Sequence, residues 1–323
     1  RWDALPPAAP TGWSVGLDGE PVPAEAPDRL LIPVDDDDPH FLRVELTFPG
    51  GRRAAAEALL GGYGGDVRTE LTSVALTAPS WPRRVDVGHV AGWLRVEGSS
   101  ASVAAVESPG PEVIVVRDPA AVEGLEGFDR RLSHLSREGR TGPSARRQLP
   151  SLASDHRLRL LVPEPDVVHH RGREHHVFPV TSNVNRAGDL PAILARAPRR
   201  AHPAGHHLAE ALCVAGMEAV ATGRPRAVLL VLHPARQDPR LSDAARFLAR
   251  QNVPLVVWTV AEEAGDPVLP ARHVDGIGPL RDAVRDLERL LARQRIVWIE
   301  GRHLPTAIAL AGGGPEEVRL AGR

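Results

Sequence analysis

The chain has 323 residues, and because one domain usually takes about 100–200 residues, this length predicts two domains. The composition, 42% hydrophobic and 25% charged, is that of a globular protein with enough apolar residues for a sizeable core. A formal net charge of −2 at pH 7 argues against a nucleic-acid-binding protein, which normally carries a basic domain or stripe. No apolar run approaches the ~20 residues of a transmembrane helix, so we expect no membrane-spanning segment.

Residue usage also excludes several enzyme classes. All of the basic side chains other than histidine are arginines, and a Walker-type nucleotide loop cannot exist without lysine. The single cysteine, Cys213, cannot form an internal disulfide, and its apolar sequence neighbours predict a small buried side chain. No Gly-x-Ser-x-Gly elbow occurs either. Because no catalytic signature is present, function has to be argued mainly from the fold.

Residues 1–110 carry short runs of alternating or β-branched residues separated by turn residues. In the run 41–48 the apolar residues occupy every second position from Leu42 to Phe48, which predicts a strand with one buried face. Further predicted strands of this region are 13–17, 30–34 and 67–76. This spacing predicts a small β-sandwich of immunoglobulin type over residues 1–110. A hairpin around Ser99 and Ser100 either closes this domain or adds edge strands to the next one.

From residue 111 the pattern changes to short, wholly apolar strands that alternate with helices. Such strands are expected where helices cover both faces of a sheet. The predicted strands are 113–116, 158–162, 176–180, 227–232, 254–258 and 296–299. The predicted helices are 125–135, 190–194, 207–222, 241–250 and 280–291. The alternation predicts a Rossmann-type α/β domain over residues 111–323, with a mostly parallel sheet and helices on both faces.

The order of these elements, from about Glu112 to Leu310, resembles that of a von Willebrand factor type A (VWA) domain. Residues 203–212, which read Pro-Ala-Gly-His-His-Leu-Ala-Glu-Ala-Leu, are similar to the family's Gly-Gly-Thr loop that opens a buried helix. The strand 228–232 and the segment 253–258 are similar to the second half of the family. A β-sandwich followed by such a domain resembles bacterial extracytoplasmic proteins. The resemblance implies adhesion or complex assembly in the periplasm, in the medium or at the cell surface.

VWA domains that bind Mg²⁺ use an Asp-x-Ser-x-Ser loop, a Thr from a second loop and an Asp from a third, and such oxygen ligands suit a hard cation. At the matching positions this chain keeps Asp118 but has Ala120 and Val122 in place of the two serines. His206 stands at the Thr position and His233 at the last Asp position. The resemblance therefore implies that the magnesium site of the family is absent, and we expect no cofactor.

Two interpretations remain open for Asp118, His206 and His233. In the first, they are the remnant of a degenerate site and satisfy backbone groups at the ends of strands and helices. In the second, they form a rebuilt site, because two imidazoles and a carboxylate can hold Zn²⁺ or another borderline divalent metal. The second interpretation requires all three to converge at the carboxyl ends of the strands, where α/β sheets bind their ligands.

These observations lead to functional hypotheses of different classes. The first is a non-enzymatic protein-interaction or scaffold module of an exported bacterial protein, whose partner is another protein bound without the usual magnesium. The alternative is a metal-dependent hydrolase that uses the rebuilt Asp118, His206 and His233 site. A third hypothesis makes the α/β domain a purely structural part of a larger assembly.

Overall fold

The structure is a computed structural model, and it describes the following parts of the chain: residues 11–17, 20–23, 40–50, 53–60, 71–82, 85–137, 151–170, 173–185, 190–196, 207–234, 238–260, 268–311 and 317–322. The chain divides into two compact units. The first unit comprises Arg1–Thr69 with His170–Arg173, and the second comprises Glu70–His169 with Glu174–Arg323. No helix in the described ranges is both long enough and apolar enough to cross a membrane.

In the described residues, every helix longer than seven residues lies after residue 111. The strands are β1 (Gly12–Leu17), β2 (Glu20–Pro21), β3 (His40–Thr47), β4 (Arg53–Leu60), β5 (Leu71–Thr77), β6 (Leu94–Val96), β7 (Ser99–Ser100), β8 (Val103–Glu107), β9 (Glu112–Arg117), β10 (Arg157–Leu161), β11 (Asp166–His170), β12 (Arg173–Val177), β13 (Arg226–Leu232), β14 (Leu255–Thr259), β15 (Arg272–His273), β16 (Gln294–Glu300), β17 (Ile308–Leu310) and β18 (Arg319–Leu320). The helices are α1 (Val87–Trp93), α2 (Val122–Arg137), α3 (Leu190–Ala195), α4 (Leu208–Ala221), α5 (Arg240–Arg250) and α6 (Ile277–Ala292). Short 3-10 turns lie at Pro119–Ala121 and Pro305–Ala307.

The first unit contains an antiparallel sheet with the strand order β2-β1-β3-β4. The predicted strands at 13–17 and 41–48 correspond to β1 and β3, and β1 pairs along its whole length with residues 42–47 of β3. Val15 on β1 and Leu46 on β3 are buried, as expected for strands with one apolar face. The predicted strand at 30–34 lies outside the described residues.

The second unit is built on a parallel sheet with the strand order β10-β9-β13-β14-β15. Residues 113–116 on β9 and 227–232 on β13 are completely buried, because helices α2, α3 and α6 pack on one face and α4 and α5 on the other. The predicted α/β class and the parallel sheet between helices are therefore confirmed. Cys213, which the sequence predicts to be buried, is only partly buried. The sequence could not show this, because α4 is apolar on most sides and its residues do not reveal which face lies outward.

A second, antiparallel sheet with the order β18-β5-β16-β8 completes this unit, and a small sheet β17-β6-β7 accompanies it. Strand β16 pairs with β5 on one side and β8 on the other. Strands of residues 71–107 therefore share sheets with the C-terminal strands, so this region belongs to the second unit. The predicted hairpin differs from the observed one, because Ser99 and Ser100 are themselves strand β7 and pair with β6, whereas β8 pairs with β16. The observed division, between Thr69 and Glu70, differs from the predicted division at residue 110, because an apolar strand pattern does not specify its pairing partner.

The outer edge of β10 is covered by the segment that follows the β11–β12 ribbon. The Thr181 hydroxyl oxygen accepts a hydrogen bond from the Leu160 amide at 2.9 Å, and the side-chain oxygen of Asn183 accepts one from the Leu158 amide at 3.0 Å. The Thr181 amide donates in turn to the Leu160 carbonyl at 2.9 Å. An uncovered strand edge is a template for unwanted pairing, and here backbone and side-chain groups occupy that edge.

The parallel and antiparallel sheets of the second unit are joined at the start of β13. The Gln294 side chain accepts a hydrogen bond from the Arg226 amide at 2.8 Å and donates one to the Arg226 carbonyl at 2.9 Å. The Arg226 guanidinium donates to the Val220 carbonyl at 3.1 Å and to the Ser73 hydroxyl at 3.4 Å. Arg226 is 1% exposed, and this burial lowers its pKa to about 10. It remains protonated at neutral pH and stabilises the carbonyl end of α4.

Candidate site at the carboxyl end of the parallel sheet

Every strand of the parallel sheet has a polar residue at or just after its carboxyl end. In sheet order from β10 to β15 these residues are Glu164, Asp118, His233, Thr259 and His273. Because the carboxyl ends of parallel strands lie along one edge, these groups share the place where open α/β sheets bind their ligands. This edge is therefore the candidate functional site.

Asp118 is completely buried at this edge, and its carboxylate is engaged by the main chain. One carboxylate oxygen, Oδ1, accepts a hydrogen bond from the Ala120 amide at 3.0 Å and so caps the 3-10 turn that leads into α2. The other oxygen, Oδ2, accepts one from the His233 amide at 3.3 Å. The Asp118 amide itself donates to the Val231 carbonyl at 2.8 Å. Asp118 therefore fastens the loop after β9 to the loop after β13.

These residues do not fit the magnesium ion that VWA domains with the complete set of loop residues bind. The side chains of Ala120 and Val122 contain no oxygen, and both carboxylate oxygens of Asp118 already accept backbone amide hydrogens. A hard divalent cation needs several oxygen ligands. Across the described residues, no three His, Cys, Asp or Glu side chains form a group that could hold a metal ion.

The three residues of the rebuilt-site hypothesis are brought together only in part. Asp118 and His233 meet through the His233 backbone amide, whereas His206 lies outside the described residues, so the zinc site stays a prediction. The next residue, His207, occupies the position before the first turn of α4 without making a side-chain capping hydrogen bond. Its ring lies edge-on to Phe178, with 6.3 Å between the ring centroids.

Sequence reasoning missed Glu164, Thr259 and His273. Glu164 and Thr259 are buried, and the Thr259 hydroxyl lies 3.2 Å from Nδ1 of His273 on the neighbouring strand. A usable signal was present for Glu164 and Thr259, because each follows a predicted strand, 158–162 and 254–258. No such signal was present for His273, because its strand β15 has only two residues and carries no periodic pattern.

A small apolar cavity of about 10 Å³ lies near this edge, on the face covered by α2, α3 and α6. It is lined by Leu125, Phe128, Pro191, Leu194, Val231, Trp258, Val260, Val274 and Leu280. A cavity of this size has room for about one water molecule, but a water needs polar partners that this lining does not offer. The cavity is therefore a packing void, far smaller than the several hundred Å³ of a typical ligand pocket.

No protein-family model matches the chain, and none of the curated proteins compared with it is similar. What is shown is thus the architecture, an α/β unit with a parallel five-stranded sheet between helices and an antiparallel sheet in the first unit. Folds of this kind carry many unrelated functions. The residues at the carboxyl edge are therefore the features that bear on function.

Proposed function

We propose that the chain is a non-enzymatic protein-interaction or scaffold module, which binds another protein without a bridging metal ion. The observation that carries this proposal is the carboxylate of Asp118, which is wholly buried and accepts two backbone amide hydrogens. A carboxylate used in this way stabilises two loops, and within the described residues it belongs to no group of three side chains that could hold a metal ion. The edge then offers a preformed surface.

The proposal extends to the family and setting suggested by the sequence. In it, the second unit is a VWA-like domain with a degenerate metal site, and the first unit belongs to an immunoglobulin-like β-sandwich. The protein is an exported bacterial one that works outside the cytoplasm, either alone or within a larger assembly. The parallel sheet between two helical layers and the antiparallel sheet of the first unit support this assignment.

The competing function is a metal-dependent hydrolase built on Asp118, His206 and His233. Zinc bound by Asp118 would share a carboxylate whose two oxygens each already accept one backbone amide hydrogen. The two functions therefore differ in a measurable property, which is metal content.

The test is elemental analysis of the desalted full chain, beside Asp118→Asn and His206→Ala. We expect no stoichiometric metal in any of the three proteins. We also expect that the proteins retained by the tagged chain from an extract of its source organism are the same with and without a chelator. Stoichiometric zinc that disappears in both variants would contradict the proposal and favour the hydrolase.

A further inference from the structure

The second unit contains two groups of strands and helices, and each group has its own hydrophobic core. Residues 112–292 form the α/β lobe, whose buried apolar side chains pack on the two faces of the parallel sheet. Residues 71–107 and 294–322 form the antiparallel lobe, whose buried apolar side chains pack around β5 and β16. In the described part of the chain, no core cluster includes residues of both lobes. A structure with a core of its own can move as one body.

The chain passes between the lobes in two places. It leaves the antiparallel lobe after β8 through residues 108–111, and it returns from α6 to β16 through Arg293. The α/β lobe is thus an insertion in the antiparallel lobe. Both crossings are short, and a few residues at the ends of elements are enough to act as a hinge.

The contact between the two lobes, which we call the junction, is rich in polar groups. The backbone of Arg226 in the α/β lobe exchanges two hydrogen bonds with the side chain of Gln294 in the antiparallel lobe, and the Arg226 guanidinium reaches the Ser73 hydroxyl. Nδ2 of Asn252 donates to the Pro305 carbonyl at 3.3 Å. Nε of Arg226 and Oδ1 of Asn252 are buried and have no hydrogen-bond partner among the described residues. A polar interface restrains two bodies less firmly than a shared apolar core does.

Glycines allow the closest approaches between the two lobes. A Cβ atom on Gly322 of the antiparallel lobe would lie 2.8 Å from the carbonyl carbon of Val253 in the α/β lobe. A Cβ atom on Gly223 of the α/β lobe would lie 2.4 Å from the ring of Trp298 in the antiparallel lobe. An added methyl group at either glycine therefore acts as a wedge between the lobes.

We propose that the two lobes open and close at the junction as rigid bodies, while both of their cores stay folded. Opening breaks the hydrogen bonds between Arg226 and Gln294. It also gives water access to a charged guanidinium that closure buries, so hydration offsets part of the lost contact. The carboxyl edge of the parallel sheet lies wholly on the α/β lobe, so this motion moves the edge relative to the antiparallel lobe. The inference goes beyond the proposed function, because it requires neither a partner protein nor a metal ion.

The first test is hydrogen exchange of the full chain, resolved to single amides by NMR spectroscopy. Arg226 and Val228 lie on the same strand, but the Arg226 amide donates to Gln294 in the other lobe, whereas the Val228 amide donates to Pro254 in its own lobe. After correction for intrinsic rates, we expect the Arg226 amide to exchange at least about tenfold faster than the Val228 amide. Equal rates would mean that the junction opens only when the α/β lobe unfolds, and they would overturn the proposal.

The second test distinguishes opening of the junction from fraying at the start of β13. Gly322→Ala places a wedge on the antiparallel lobe. Gly98→Ala is the matched control, because the two glycines have φ angles of 88° and 84° and nothing lies within 4 Å of a Cβ atom at Gly98. We expect Gly322→Ala to accelerate exchange of the Arg226 amide at least about fivefold without changing the Val228 amide, and we expect Gly98→Ala to change neither.

An Arg226 amide that is unaffected by Gly322→Ala, or equal acceleration of the Arg226 and Val228 amides, would refute the inference. If Gly322→Ala fails to fold, the wild-type comparison of the two amides decides alone. Because neither readout involves a metal ion or a partner protein, a failure here is distinct from a failure of the proposed function.

Discussion

The two ends of the parallel sheet use buried polar residues in different ways. At the amino end, Arg226 and Gln294 are both almost wholly buried, and they tie the parallel sheet to the antiparallel sheet. At the carboxyl end, Asp118 is equally buried, but it ties together two loops of the same sheet. The comparison teaches that burial alone does not mark a functional residue. What distinguishes the two ends is which backbone groups the buried side chains satisfy.

The largest expected effect comes from removing strands of the antiparallel sheet that joins the amino end of the parallel sheet. A fragment of residues 111–323 lacks β5 and β8, so β16 loses both of its neighbours and Val297 and Ile299 are exposed. We expect this fragment to aggregate or to unfold without a cooperative transition, as judged by circular dichroism during heating. A fragment of residues 70–323 keeps those strands and is expected to unfold cooperatively. Similar transitions in the two fragments would contradict the observed division of the chain.

A single substitution tests the same junction more gently. Gln294→Leu removes both side-chain hydrogen bonds to Arg226 and leaves its buried amide and carbonyl without those partners. At about 1–3 kcal/mol for each of the two stranded groups, the free energy of unfolding should fall by about 2–6 kcal/mol in urea denaturation. The control Gln251→Leu, at the end of α5, should change it by less than about 0.5 kcal/mol. Equal effects would show that Gln294 plays no special part in joining the sheets.

The corresponding change at the carboxyl end should be somewhat smaller. Asp118→Ala removes the acceptor of the Ala120 and His233 amides, and we expect a loss of about 2–3 kcal/mol of unfolding free energy. Asp118→Asn retains one side-chain oxygen and should cost about half as much. Chemical denaturation measures both values. A variant as stable as the wild type would mean that Asp118 is held there for something other than fastening the loops.

The smallest expected effect is a gain. Val274 lines the apolar cavity, so Val274→Ile fills part of it and should raise the free energy of unfolding by about 0.5–1 kcal/mol. Val115→Ile is the matched control, because Val115 is equally buried in the same core cluster but does not line the cavity. Overpacking at that position should cost about 1–3 kcal/mol. Thermal unfolding measures the stability of both variants. A loss of stability in Val274→Ile would show that the space beside Val274 cannot take an added methyl group.

The parts of the fold that were predictable are those encoded by local pattern. The wholly apolar runs 113–116 and 227–232 are strands that are buried on both faces. The regular spacing of apolar residues in 280–291 marks helix α6, which is buried on one face. Both kinds of burial produce a recognisable pattern in the sequence. The pairing of β5 with β16 was not predictable, because it joins residues more than 200 positions apart. No local pattern records such a contact.

The candidate site was predictable to a similar degree. Asp118 and His233 were expected at the carboxyl edge, and they do meet there. What the sequence could not specify is that the contact runs through the His233 backbone amide, since main-chain partners depend on loop conformation and not on residue type. The buried pair of Arg226 and Gln294 was also missed. Neither residue type suggests burial, and each finds its partner only when the two sheets are assembled.

The position of β16 between β5 and β8 has a consequence for how the protein is made. During synthesis β8 leaves the ribosome more than 180 residues before β16 does. At roughly 5–20 residues per second, that delay is about 10–40 s. For this time β5 and β8 lack the central strand that they share, and their apolar side chains have to be kept from other chains. We expect molecular chaperones that bind exposed strands to hold the nascent chain during this interval.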